Sequence, residues 1–236
     1  MIIACWSGPR NISTALMRSW SSRKDTYVTD EPFYSYYLNE TKVKHPMHKE
    51  IIEKYSSNYF DIIKYLTSDI PNNKTIWYQK HMAHHMIDLS NIDWIKKCNN
   101  FILIRHPKQV ISSYLLKNEL NSIDELGYYQ QFEIINFLKK NNIPFNVKES
   151  NEILTNPEVA LKDWCAKIEI NFDRSMLSWN KGIHPNDGVW AKHWYDNVIN
   201  SSGFQKFKKK DISIENKYDS IYNDAMKYYK YITENI

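Results

Sequence analysis

The chain has 236 residues, of which 42 % are hydrophobic and 25 % charged, and its net charge is +4. That length suits one large domain with a substantial core, and so mild a charge excludes the basic stripe of a nucleic-acid-binding surface. The three cysteines, Cys5, Cys98 and Cys165, show no CxxC spacing, which excludes a disulfide framework and a cysteine-based zinc site.

The chain opens on an apolar run, Ile2–Trp6, with no basic segment ahead of it. No stretch reaches the roughly 18 apolar residues of a membrane span, so the expectation is a cytoplasmic protein without membrane association. That first run predicts a strand, followed by a helix over Ser13–Ser22 and a short strand over Tyr27–Thr29. Residues 33–70 read as two helices, Thr75–Gln79 as a third strand, and Phe101–Ile104 as the clearest buried strand. Pro107 suits the first turn of the helix that follows. A long helix over Ile123–Lys140 and a fifth strand over Phe145–Lys148 come next. Helices then fill most of the C-terminal third, around a loop at Gly182–Gly188. The one dense lysine run, Lys208–Lys210, reads as a solvated turn. Strands alternating with helices predict an α/β fold on a parallel sheet of about five strands, forming a single domain over residues 1–236.

Two segments carry the chemistry. The first, Trp6-Ser7-Gly8-Pro9-Arg10-Asn11-Ile12-Ser13-Thr14, joins the first strand to the first helix. Such a turn aims backbone N–H groups and the positive end of a helix dipole at one point, which suits a phosphate or sulfate. Arg10 adds a planar fork and Ser13 and Thr14 add hydroxyls. A plain N-cap at Asn11 or Ser13 is the competing explanation, but it needs neither Arg10 nor the Gly-Pro turn. The loop lacks the GK[ST] of a nucleotide-hydrolysing phosphate loop. The second segment, Arg105-His106-Pro107-Lys108-Gln109-Val110-Ile111-Ser112-Ser113, starts where the buried strand ends, and ligands bind at strand ends of a parallel sheet. Arg occurs only at 10, 18, 23, 105 and 174. A chain so biased toward Lys keeps Arg where its fork is needed.

Together these residues resemble the sulfotransferases that use 3′-phosphoadenosine 5′-phosphosulfate, and in particular the bacterial sulfotransferase-like proteins with a GPRN loop followed by Asp-Glu-Pro. The resemblance implies a P-loop-NTPase-like fold. It assigns Arg10, Asn11, Ser13 and Thr14 to the phosphosulfate and Arg105 and Ser113 to the 3′-phosphate. It runs in order through Asn156-Pro157-Glu158 and Trp190-Ala191-Lys192-His193-Trp194, and is thinnest over residues 33–70. Ile12 stands where many relatives carry Gly, and Arg10 where many carry Lys.

Sulfuryl transfer to a hydroxyl needs a base for its proton and positive charge at the departing phosphate oxygen. Glu31, in Asp30-Glu31-Pro32, is one candidate base, and a plain surface carboxylate is the alternative. Lys80 and His81 are the second pair, as stabiliser and base, although adjacent strand residues face opposite ways unless the strand end twists. His81 and His85 are four apart, but Met82 replaces the Glu of HExxH, so no metal is expected. The implied partners are the nucleotide donor and a small-molecule acceptor, with a homo-oligomer left open. A nucleoside-triphosphate enzyme and a non-catalytic nucleotide-binding regulator are the rival functions.

Overall fold

The computed structural model describes residues 1–207 and 212–234, so Lys208–Lys210 lie outside the described residues. Five strands carry the fold: β1 (Ile2–Ser7), β2 (Thr26–Asp30), β3 (Ile76–Met82), β4 (Asn99–Ile104) and β5 (Phe145–Glu149). They form one sheet in the order β2-β3-β1-β4-β5, and all four pairings are parallel. This is an α/β fold built on a single all-parallel sheet. Its strands read as continuous apolar runs because both faces of the sheet are covered.

Helices α1 (Ser13–Ser21), α2 (Tyr34–Thr41), α3 (His48–Lys54) and α4 (Tyr59–Leu66) precede β3. After β4 come α5 (Pro107–Tyr114) and α6 (Tyr128–Lys140), and after β5 come α7 (Ser150–Thr155) and α8 (Pro157–Lys167). Two single turns, α9 (Ala191–Trp194) and α10 (Asp196–Ile199), and a last helix, α11 (Asp219–Thr233), complete the described chain. Strand alternation sorts the core. Ala4, Trp6, Trp77, Ile102 and Ile104 face α4, α6 and α11, whereas Ile3, Cys5, Tyr78, Phe101 and Leu103 face α1 and α8. Tyr34, Tyr37, Ile51, Trp190 and Tyr195 form a smaller third cluster beyond the strand ends.

Local sequence explains most boundaries. Asn58 and Asn156 accept from backbone N–H groups at the starts of α4 and α8, the usual reason for Asn at an N-cap. Pro107 opens α5 as expected.

Three expectations need correction. Residues 33–70 hold three helices rather than two, because Lys42 takes a left-handed backbone (φ 59°) and ends α2, and Met47 does the same (φ 64°) ahead of α3. The helix expected from Ile123 starts only at Tyr128. Ser122 and Glu125 close a capping box around a short 3₁₀ turn, and Gly127 (φ 74°) then breaks the path. A Cβ at Gly127 would stand 3.1 Å from the His84 nitrogen. The C-terminal third is less helical than expected, since among the described residues between Lys167 and Tyr218 only short turns interrupt irregular chain. The three cysteines are free and buried. No helix among the described residues is long and apolar enough to cross a membrane.

Candidate active site

The loop after β1 lies where the strand order turns back, between the ends of β3 and β4, the place a parallel sheet offers a ligand. Gly8 is required there by space: a Cβ would stand 2.3 Å from the Leu126 carbonyl oxygen. Arg10 (φ 61°) and Ile12 (φ 58°) both adopt left-handed backbone, and alternation of this kind turns successive N–H groups into an anion-binding concavity. Glycine would hold the Ile12 conformation without strain, so a β-branched side chain at this point carries a cost of about 1–3 kcal/mol. Ile12 itself is the N-cap of α1, and no side chain caps that end. The capping explanation for Asn11 and Ser13 therefore fails, and the first N–H groups of α1 are left for a ligand.

A cavity of about 690 Å³ opens over this loop. Arg10, Ser13, Thr14, Arg105 and Ser113 all line it, as do Glu31 and Lys80. Arg10 Nε donates to Ser113 Oγ at 2.9 Å, so the two sequence motifs, 103 residues apart, meet directly. Arg105 Nη1 donates to the Arg10 carbonyl at 2.8 Å, and its Nε to Gln109 at 2.9 Å. Neither Arg10 nor Arg105 has a carboxylate partner among the described residues. Burial pulls both guanidinium groups below the ordinary arginine range, with Asp196 opposing this at Arg10 and Glu149 at Arg105. Two half-buried cations that no carboxylate pairs directly among the described residues, facing an uncapped helix end, fit a ligand with more than one anionic group. Asn11 lines the cavity as well; its side chain donates to the Leu103 carbonyl at 3.4 Å, and its own backbone carbonyl accepts from Ser150 at 3.1 Å.

The opposite wall is a buried polar network. Strand β3 continues through Met82, flanked by β1 and β2, so Lys80 and His81 lie inside it rather than at its end. Alternation then separates them. Lys80 Nζ donates to Asp30 Oδ1 at 2.9 Å, Glu31 Oε1 at 2.6 Å and Tyr195 Oη at 2.6 Å. His81 goes to the other face, stacked on Trp6 with ring centroids 4.3 Å apart and bonded to Gln79 at 3.2 Å. Burial lowers its pKa to about 3. The pairing of His81 with Lys80 at one site is therefore corrected; His81 is a core histidine outside the cavity wall.

Glu31 takes a left-handed backbone (φ 40°) and donates its N–H to the Lys80 carbonyl at 2.9 Å. Strain of this kind is typical of functional positions. Burial raises the Glu31 pKa and the nearby Asp30 adds to this, while Lys80 and the Tyr195 hydroxyl oppose it. For Lys80 the balance differs: burial pulls its pKa down, but the two carboxylates outweigh it and hold the ammonium above the ordinary lysine range. His84 and His85 do line the cavity, yet neither faces open solvent. His85 stacks between Tyr34 and Tyr37, at 4.7 and 4.9 Å. Burial lowers the His84 pKa to about 3. No group of His, Cys, Asp or Glu among the described residues is arranged to hold a metal ion.

Sequence reasoning missed Tyr195, Trp190 and the part played by Asp30. Tyr195 Oη reaches both Asp30 carboxylate oxygens at 2.8 Å and accepts from Trp190 Nε1 at 3.0 Å. The only signal was their position beside two noted segments, Asp30-Glu31-Pro32 and Trp190–Trp194.

Comparison with known proteins identifies the family. Residues 1–235 match the sulfotransferase domain family. The chain belongs to that family. Branched-chain-amino-acid aminotransferase-like proteins 1 and 2 of Arabidopsis thaliana are 35 % and 32 % identical to it over 208 residues. Those residues are 88 % of this chain but 37 % of each plant protein, so the chain spans little more than a third of these relatives. Among solved structures, a sulfotransferase from Alicyclobacillus acidocaldarius superposes with a TM-score of 0.54 at 8 % identity, covering 99 % of this chain and 96 % of the other. A mouse sulfotransferase in complex with PAP gives 0.53 at 13 % identity, covering 99 % and 88 %. At such identities the likeness is one of fold.

Proposed function

We propose that the chain is a sulfotransferase that moves the sulfuryl group of 3′-phosphoadenosine 5′-phosphosulfate to a hydroxyl of a small-molecule acceptor, working as one domain over its length. The observation that carries this reading is the meeting of Arg10 and Ser113 at 2.9 Å on one cavity wall, with Glu31 on the same cavity. Arg105 and Ser113 bind the 3′-phosphate. Arg10, Ser13, Thr14 and the first N–H groups of α1 bind the phosphosulfate. The donor supplies an activated sulfur bonded to a good leaving phosphate. Glu31 takes the proton of the acceptor hydroxyl as its oxygen bonds to sulfur and the bond from sulfur to the 5′-phosphate oxygen breaks. The charge released on that phosphate is met by Arg10 and the helix end, preorganised electrostatics that need no rearrangement. No metal has a part in this scheme.

Thermal unfolding with 3′,5′-phosphoadenosine tests it. At about a hundred times its dissociation constant a ligand adds roughly 2.7 kcal/mol, a rise on the order of 5–10 °C for a domain of this size. The expected result is a rise that persists in EDTA and disappears in Arg105→Ala. A rise only with ATP and Mg²⁺ would replace this reading with a nucleoside-triphosphate enzyme.

A further inference from the structure

Tyr195 sits between α9 and α10, 115 residues from Lys80 in sequence, yet its hydroxyl is at the centre of the buried network. A phenol can accept two hydrogen bonds and donate one. Here it accepts from Lys80 Nζ at 2.6 Å and Trp190 Nε1 at 3.0 Å, which leaves its single proton for the Asp30 carboxylate at 2.8 Å. Asp30 is completed by the Gly188 N–H at 3.0 Å. Lys80 likewise spends all three of its protons on Asp30, Glu31 and Tyr195. The Lys80 side chain is 1 % exposed, and its ammonium has no donor left for a departing phosphate. Glu31 is held through Oε1 alone. Its second oxygen makes no hydrogen bond among the described residues, and Glu31 lines the cavity.

We propose that Tyr195 is a positioning residue of the transfer site: its hydroxyl fixes the Lys80 ammonium against Asp30 so that Glu31 is gripped by one oxygen and presents the other to the acceptor. Lys80 belongs to the same device and positions the base rather than touching the leaving group. The neighbours of Tyr195, Trp194, Asn197 and Val198, also line the cavity, so the seating of this segment and the aim of the base are one event. The proposal rests on Glu31 being the base.

The test compares wild type with Tyr195→Phe, which keeps the ring and removes only the hydroxyl. Three readouts are taken: the Lys80 ammonium signal in the ¹⁵N NMR spectrum of lysine-labelled protein, the thermal shift with 3′,5′-phosphoadenosine, and sulfate release from the phosphosulfate donor with water as acceptor. In wild type a saturated, buried ammonium exchanges slowly and gives a distinct signal. In Tyr195→Phe that signal should move or exchange away, sulfate release should fall about a hundredfold as the base loses its aim, and the nucleotide shift should stay. Trp190→Phe, which removes one donor to the same hydroxyl, should act in the same direction and more weakly. An unchanged Lys80 signal, or sulfate release undiminished in Tyr195→Phe, overturns the proposal. Wild type that neither binds the nucleotide nor releases sulfate would instead sink the sulfotransferase reading, and the Lys80 signal would still decide whether Tyr195 holds the ammonium.

Discussion

The two walls of the cavity hold their cations in opposite ways. On one, Arg10 and Arg105 touch a hydroxyl, a carbonyl and an amide, with no carboxylate among the described residues. On the other, Lys80 meets two carboxylates and a phenol. On the proposed reading the first wall is completed by the anionic groups of the donor. The second is already satisfied and serves to hold one oxygen of Glu31 in place. A cation is therefore informative about ligand binding only together with its partners: the same charge signals a binding group where it is unpaired and a structural one where it is saturated.

Substitutions can break that contrast. The largest effect belongs to Glu31→Gln, which keeps the shape and removes the base; turnover should fall by about 10²–10⁴ while 3′,5′-phosphoadenosine still raises the unfolding temperature. Wild-type turnover should fall with decreasing pH through a limb lying above the ordinary carboxylate range, because burial raises the Glu31 pKa. A pH–rate profile unchanged in Glu31→Gln would remove Glu31 from the chemistry.

Next is Lys80→Met, which leaves Asp30 and Glu31 buried without their counter-charge and should cost about 3–5 kcal/mol in denaturant unfolding. The sign with pH follows from the raised Lys80 pKa. The native state holds this proton more tightly than the unfolded chain, so the stabilisation is complete below the ordinary lysine value of 10.5 and is lost only as pH rises through the raised one. Arg10→Ala is the matched control from the other wall. It should change stability by about 1 kcal/mol or less, the worth of one hydrogen bond, while weakening nucleotide binding. Equal stability losses in the two variants would erase the contrast between the walls.

Two smaller effects sharpen the loop itself. Gly8→Ala forces a methyl against the Leu126 carbonyl and should cost about 1–3 kcal/mol. Ile12→Gly relieves the left-handed strain but frees the unfolded chain, so a gain of no more than about 1 kcal/mol is expected in thermal unfolding. A large loss there would mean that Ile12 packing, not loop geometry, holds the site.

The sequence by itself determined the alternation of strands and helices, the loop after β1, and the Arg10 and Arg105 motifs. These are local signals: apolar runs, a Gly-Pro turn, and Arg kept in a lysine-rich chain. Lys80 and His81 show where local signals stop. Their adjacency on one strand already implied opposite faces, but which face held the cavity depended on the order β2-β3-β1, which no periodicity contains. Tyr195 was out of reach for the same reason. It comes to Asp30 across 165 residues, through a segment with little regular structure, and a tyrosine in an aromatic-rich chain carries no mark of a partner so distant. The tertiary structure alone decided which cations are paired, because pairing depends on which strand ends the sheet order brings together.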